Sequence, residues 1–106
     1  MAESYGLKGC PVARTLDLIG ERWAILILRD LLLRGPCRFR DLEDSLAGIS
    51  PNTLSARLKL FEDAGIVERR LYAEHPPRAE YALTPKGREL GPVLAALRDW
   101  GQKHTR

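Results

Sequence analysis

The sequence predicts a mainly α-helical domain with a small β-hairpin, which is an α+β fold. Two observations lead to this prediction. Apolar residues recur at helical spacing over most of the chain, with proline and glycine separating the segments. A stretch after Gly65 instead changes to the extended pattern of strands. Because 106 residues suffice for one core and not for two, we expect a single domain over residues 1–106.

Two helices are predicted in the first third of the chain. The first begins near Pro11, a residue suited to the first helical position because it has no N–H to leave unpaired, and it ends at Gly20. The second, from Arg22 to Arg34, is apolar almost all round and stops at Gly35-Pro36. A helix without a polar face must be buried on most sides, so we expect the second helix to be the central element.

The next two helices are short and close together. We expect them over Phe39–Leu46 and Pro51–Ala64, joined by a tight turn that contains Gly48. Ser50 is a good N-cap for the fourth helix, and Gly65 lies just past its end. Two such helices and their turn predict a helix-turn-helix.

The segment after Gly65 predicts a hairpin. Ile66–Tyr72 and Ala79–Leu83 are typical of strands, and between them Ala73–Arg78 is expected to project as an extended loop that two prolines stiffen. A hairpin directly after a helix-turn-helix forms a wing. The predicted fold is therefore a winged helix-turn-helix.

The last helix opens at Thr84-Pro85, which repeats the signal of a cap followed by proline. It continues to Trp100, and Gly91-Pro92 must kink it or divide it in two, because an interior proline removes one backbone hydrogen bond.

The outer face of the fourth helix predicts contact with double-stranded DNA. Its N-terminal part presents small or hydrogen-bonding side chains, which can enter a major groove and reach base edges, whereas its acids lie at the C-terminal end. A net charge of only +3 supports DNA binding less than this distribution does. The residues that we expect to contact DNA from this helix are Ser50, Asn52, Thr53, Ser55, Arg57 and Lys59.

Four arginines border this helix and are expected to hold phosphates. Arg38 and Arg40 lie at the start of the third helix, where backbone N–H groups can join them, and Arg69 and Arg78 lie in the wing. Taken singly, each arginine could equally form a surface ion pair with a nearby glutamate.

Several motifs, in the right order, resemble HxlR-type regulators. Cys10-Pro-Val-Ala-Arg-Thr-Leu-Asp-Leu-Ile-Gly-Glu-Arg-Trp23 resembles the opening of the family, and Gly48-Ile-Ser-Pro-Asn-Thr-Leu-Ser-Ala-Arg-Leu58 its helix-turn-helix. Tyr81-Ala-Leu-Thr-Pro-Lys-Gly87 is similar to the family's wing and last helix, and the whole match spans about residues 10–104.

The resemblance implies a homodimeric transcriptional repressor or activator that binds a roughly palindromic operator. It also implies that the first and last helices form the dimer contact. The apolar residues that these helices carry are Leu16, Ile19, Leu94, Leu97 and Trp100.

Some members of this family sense oxidants or electrophiles through a cysteine just ahead of the first helix, and Cys10 occupies that place. A helix N-terminus favours thiolate, which makes sensing feasible. Cys10 could instead be a small buried residue at the dimer contact, and Cys37 a half-buried spacer. The resemblance leaves open both a thiol switch and a small-molecule effector.

Other functional classes have little support. No apolar stretch approaches the ~20 residues of a membrane span, and Met1 to Gly9 lacks the features of a signal peptide, so we expect a cytoplasmic protein without a membrane partner. His75 and His104 are isolated from any catalytic or metal-ligating group, so we expect no enzyme, cofactor or metal site. A winged-helix adaptor for another protein remains the alternative.

Overall fold

A computed structural model describes residues 9–106, and the expectation for Met1 to Gly9 falls almost wholly outside them. Within this part, six helices and one antiparallel hairpin follow each other in the order that the winged helix-turn-helix prediction requires. The elements are α1 (Pro11–Ile19), α2 (Arg22–Arg34), α3 (Phe39–Ser45), α4 (Pro51–Asp63), β1 (Val67–Glu74), β2 (Pro77–Leu83), α5 (Pro85–Arg88) and α6 (Gly91–His104).

Helix α2 passes through the centre of the core. Ala24, Ile27 and Leu28 are fully buried, because α1, α3, α4, α6 and β2 all pack against this helix. The prediction of a central helix is confirmed. Its apolar surface is nevertheless not covered all round, since Leu33 is 78% exposed and Leu26 is only partly buried.

Helix α4 has the ends that its sequence predicts. The Ser50 hydroxyl accepts a hydrogen bond from the Thr53 N–H at 3.1 Å, which satisfies one of the unpaired amides of the first turn. Gly65 follows the helix with a φ of +75°, a conformation that glycine adopts without strain. The inward stripe of Leu54, Leu58 and Phe61 is buried and anchors the helix to the core.

The hairpin is longer than its sequence indicated. The prediction of a projecting loop over Ala73–Arg78 is wrong. Pairing continues to Glu74 opposite Pro77, so that only His75 and Pro76 form the turn. A bulge between Leu71 and Ala73 shifts the register by one residue and leaves Tyr72 without a partner in β2. Proline at the start of β2 is compatible with pairing, because the first residue of a strand need not donate a backbone hydrogen bond to the ladder.

Cys37, in the loop between α2 and α3, forms an isolated antiparallel bridge to the two-stranded sheet. Its N–H donates to the Tyr81 carbonyl at 2.9 Å, and the Tyr81 N–H donates to the Cys37 carbonyl at 2.7 Å. The bridge ties the loop between α2 and α3 to β2, and so it joins the helix-turn-helix to the wing. The sequence suggested that Cys37 is half-buried, but in the structure it is fully buried.

The sequence Thr84-Pro85-Lys86-Gly87 fastens the C-terminal end of α4 to the rest of the domain. The Thr84 hydroxyl donates to the Gly65 carbonyl at 2.6 Å, and Lys86 Nζ donates to the Ala64 carbonyl at 2.6 Å. As predicted, the segment at Gly91-Pro92 divides the last helix, here into α5 and α6.

Candidate DNA-binding surface

The N-terminal half of α4 presents the polar face that the sequence predicts. Asn52, Ser55 and Ala56 are exposed, while Thr53 and Arg57 are half-buried along the border of the helix. The side chains of Asn52 and Ser55 make no hydrogen bond to other residues within the described 9–106 range, so their polar atoms are available to a ligand.

Ser50 differs from these two residues because its hydroxyl is already engaged. It accepts from the Thr53 N–H and donates to Thr53 Oγ1 at 2.9 Å. The primary role of Ser50 is therefore to cap the start of α4. The bond from its hydroxyl to Thr53 Oγ1 also orients the Thr53 hydroxyl.

Lys59 lies one turn beyond Ser55 in α4, and its ammonium group pairs with Asp63. The Nζ–Oδ1 distance is 3.0 Å, and this hydrogen bond raises the pKa of Lys59. Both side chains are exposed, so the pair is weak and can exchange for a phosphate. Arg57, by contrast, has a buried Nε without a hydrogen-bond partner in the described chain.

Arg38 is held at the start of α3 by Asp41. The Arg38 N–H donates to Asp41 Oδ2 at 2.9 Å, and the guanidinium NH2 group lies 3.3 Å from Oδ1. These bonds lower the pKa of Asp41, and the Asp41 carboxylate, with a further contribution from the Tyr72 hydroxyl, raises the pKa of Arg38. The backbone N–H of Arg38 is thus occupied, and its guanidinium, which is exposed but paired with Asp41, can hold a phosphate only by exchanging that surface ion pair.

Tyr72 was not singled out by sequence reasoning. It lies at the bulge of β1, with its hydroxyl group near enough to the Arg38 guanidinium to help raise the pKa of Arg38, so the wing approaches the start of α3 at this point. A contact between residues 34 positions apart has no local sequence signal. The bulge is what interrupts the strand alternation at Tyr72.

The remaining arginines occupy different parts of the surface. Arg40, Arg69 and Arg78 are exposed and have no ion pair with another described residue. Strand register places Arg69 opposite Tyr81 and Arg78 opposite Ala73, which puts the two arginines on opposite faces of the hairpin. Arg70, the neighbour of Arg69 in β1, instead forms surface ion pairs with Glu68 at 3.6 Å and Glu80 at 3.8 Å.

The residues predicted for the dimer contact fall into two groups. Ile19 is 6% exposed and belongs to the core of the single chain, and Leu16 and Leu94 are partly buried. Leu97 and Trp100 are 52% and 62% exposed, and Val12 and Val93 are also exposed on the same two helices. An apolar surface on α1 and α6 is therefore left uncovered in the single chain. It is smaller than the sequence suggested, because the core already covers Ile19.

The two cysteines have different surroundings and both are free thiols. Cys10 is partly exposed at the N-cap position of α1, where its side chain makes no capping hydrogen bond. The Cys37 thiol donates to the Gly35 carbonyl at 3.4 Å, and burial raises its pKa despite the nearby Arg34 guanidinium. Of these two thiols, Cys10 is the accessible one.

Two further surveys cover residues 9–106. No three His, Cys, Asp or Glu side chains come close enough together there to hold a metal ion. None of the helices in this range has the length and apolar character needed to cross a membrane.

A helix-turn-helix with an exposed polar recognition helix and an adjoining wing defines a winged-helix DNA-binding protein, a class of transcriptional regulator. Sequence comparison gives the family. The HxlR-like helix-turn-helix family matches residues 18–106, and the chain belongs to it. Its relatives are transcriptional regulators rather than enzymes.

Individual relatives agree with this assignment. An HTH-type transcriptional regulator of Synechocystis is 46% identical over 92 residues, which cover 87% of this chain and 67% of that protein. The redox regulator HypR in its oxidised form has a TM-score of 0.80 at 36% identity, covering 92% of this chain and 99% of HypR. Reduced YodB of Bacillus subtilis, a transcriptional regulator, has a TM-score of 0.76 at 35% identity, covering 90% and 93%.

Proposed function

We propose that this chain acts as one domain and regulates transcription as a homodimer that binds a roughly palindromic operator. The observation that supports this proposal most is the exposed N-terminal face of α4, where Asn52 and Ser55 carry no competing hydrogen bond. In our proposal this face enters the major groove, Arg38 and Arg40 hold phosphates beside it, and the wing lies along the flanking backbone.

The exposed apolar residues of α1 and α6 support the dimer. A second copy related by a two-fold axis would cover Val12, Leu97 and Trp100 of both chains. Two recognition helices related in this way bind half-sites about one or two helical turns apart, roughly 10–21 bp.

Asn52→Ala is expected to relax base preference, because an asparagine amide can bond an adenine edge in two places. We expect the preferred site to lose about 1–3 kcal/mol of binding free energy, while nonspecific binding stays the same. A genomic DNA-binding selection finds the preferred site, and titration against that site and against mixed DNA measures the change. Gln102→Ala, which removes an exposed amide side chain from α6 rather than from α4, is the control. An equal loss for all sequences would contradict base contact by Asn52.

Arg38→Ala is expected to weaken binding to all sequences similarly. Loss of one phosphate contact flattens the dependence of log affinity on log salt by about one unit. Affinity measured from low to high salt tests this expectation. Arg70→Ala is the matched control, since Arg70 is likewise an exposed, ion-paired arginine but lies in β1 and is not among the residues proposed to hold phosphates. A change in specificity without a change in slope would mean that Arg38 contacts bases.

We further propose that Cys10 responds to thiol oxidants. Cys10 is the accessible thiol of the two. A protein of similar fold, HypR, is a redox regulator. Diamide in the presence of glutathione, which joins the Cys10 and glutathione thiols in a mixed disulfide while diamide is reduced to the hydrazine, is expected to change operator affinity by about tenfold in the wild type and not in Cys10→Ser. Cys37→Ala, which removes the buried thiol, should keep the response. A response that survives in Cys10→Ser would overturn the assignment of the sensor.

A further inference from the structure

The C-terminal end of α4 is closed first by bonds of its own backbone. The Gly65 N–H donates to the Glu62 carbonyl at 3.0 Å, and the Ile66 N–H donates to the Phe61 carbonyl at 2.9 Å. This is the hydrogen-bond pattern of a Schellman motif, which satisfies carbonyls of the last helical turn. Neither bond uses the Ala64 carbonyl, and its partner comes from a different helix.

That partner is Lys86 of α5. Its ammonium group donates to the Ala64 carbonyl at 2.6 Å, and its Cδ and Nζ atoms both lie 4.0 Å from the place of a Cβ atom at Gly65. The lysine stem therefore runs alongside the end of α4. Its positive charge lies at the negative end of the α4 dipole, where a cation is stabilising.

The backbone that carries Lys86 is itself held against the chain that follows α4. The Thr84 N–H donates to the Ile66 carbonyl at 3.0 Å, and Gly87 approaches the same carbonyl so closely that a Cβ there would lie 2.2 Å from it. The Thr84 hydroxyl also accepts from the Gly87 N–H at 3.1 Å, which caps α5. Because α5 is placed in this way, the bond from Lys86 ties the end of α4 to a fixed part of the domain.

The apolar contacts of α4 do not by themselves fix its direction. Leu54, Leu58 and Phe61 form a single buried stripe along one side of the helix. Packing of this kind is compatible with crossing angles that scatter by about 15–20°. A bond at the end of the helix, made by a group outside the stripe, restricts that range.

The residues of α4 that face the groove lie at the opposite end from this bond. From Asn52 to Ala64 the helix rises about 18 Å, at 1.5 Å per residue. A tilt of ~5° over this length displaces one end relative to the other by about 1.6 Å. Donor–acceptor distances in protein hydrogen bonds span only about 0.5 Å. Since Arg38 and Arg40 are carried by α3 and its cap, such a tilt would disturb base contacts more than phosphate contacts.

We propose that Lys86 is a positioning residue for base recognition, and that its bond to the Ala64 carbonyl fixes the direction in which α4 enters the major groove. Lys86 itself does not contact DNA, because it lies at the end of α4 opposite Asn52. This role rests on the proposed DNA-binding function of α4 and adds the device that keeps the recognition helix aligned.

Lys86→Met tests the proposal, since methionine keeps much of the apolar stem and removes the ammonium group. We expect the ratio of affinities for the preferred site and for mixed DNA to fall by about tenfold. The dependence of log affinity on log salt should keep its slope, because no phosphate contact is lost. Lys86→Arg, which can still donate to the Ala64 carbonyl, should restore the ratio. Arg88→Met is the matched control, because Arg88 is also exposed on α5 but donates to the Leu83 carbonyl of β2 at 3.0 Å.

A Lys86→Met protein that has a lower Tm and the affinity ratio of the wild type would show a structural role only, which overturns the proposal. A salt slope lower by about one unit would instead place Lys86 at a phosphate and would overturn it equally. The wild type is titrated in the same assay. Absence of any preferred site there would contradict the proposed function as well, whereas a preferred site that Lys86→Met distinguishes equally well would contradict only the role of Lys86.

Amide hydrogen exchange of the DNA-free protein gives a second readout that does not depend on the operator. We expect the Gly65 and Ile66 amides, which close the end of α4, to exchange about tenfold faster in Lys86→Met than in the wild type. Arg88→Met should leave both rates unchanged. Equal rates in Lys86→Met and the wild type would mean that Lys86 does not hold the end of α4.

Discussion

Gly87→Ala is expected to lower the free energy of unfolding by at least about 3 kcal/mol, because there is no space for a methyl group at this position. A Cβ atom there would lie 2.2 Å from the Ile66 carbonyl oxygen and 3.1 Å from Leu83 Cδ2. The carbonyl cannot retreat easily. It accepts a hydrogen bond from the Thr84 N–H at 3.0 Å, which any shift would lengthen, and it lies 3.1 Å from the Thr84 hydroxyl, whose proton it shares with the nearer Gly65 carbonyl.

Thermal unfolding followed by circular dichroism measures this effect, with an expected fall in Tm of roughly 12 °C or more. Gly101→Ala is the control, because a Cβ atom at that position in α6 meets only Thr105 Oγ1 at 3.8 Å. Alanine also favours helix over glycine, so this second variant should be as stable as the wild type or more so. Equal stability of Gly87→Ala and wild type would mean that α5 does not pack against the end of α4 as described.

Trp100→Glu is expected to dissociate the proposed homodimer and to weaken operator binding by at least about 100-fold. Trp100 is 62% exposed in the single chain, so the substitution leaves the core intact. In the dimer, a carboxylate at this position would be buried without a partner. Each released monomer holds one half-site and loses the gain in affinity that comes from linking two.

Sedimentation equilibrium and operator titration of the same variant test this prediction. Gln102→Glu introduces the same charge on α6 at an exposed position that points to the opposite side of the helix, about 200° away. We expect that variant to remain a dimer with the affinity of the wild type. A Trp100→Glu protein that is still dimeric would locate the contact elsewhere on the surface.

Much of the fold could be predicted from local signals. The ends of α1 and α4 are determined by Pro11, Ser50 and Gly65, whose backbone preferences act within one turn. The polar face of α4 follows from helical periodicity, and the structure exposes Asn52 and Ser55 as expected.

The features that sequence reasoning missed depend on distant residues. Strand pairing across His75-Pro76 continues further than the two prolines suggested, because each added pair of strand residues satisfies backbone groups of its partner. The contact between Arg38 and Tyr72 and the bridge between Cys37 and Tyr81 join residues more than 30 positions apart. Ile19 could not be distinguished from a dimer residue, since periodicity shows that a side chain faces inward but not what covers it.

The sequence by itself determined the order of the elements, the family and the polar N-terminal face of α4. Capping, turn residues and apolar periodicity are local properties, so they can be recognised without knowing how the chain packs. Only the tertiary structure decided which apolar residues the core covers and which stay open on α1, α2 and α6. It also decided which polar groups of the DNA-binding surface are already bonded, as in Ser50 and Arg38, and which are left for a ligand, as in Asn52 and Ser55. These outcomes depend on the positions of neighbouring elements, which no local pattern specifies.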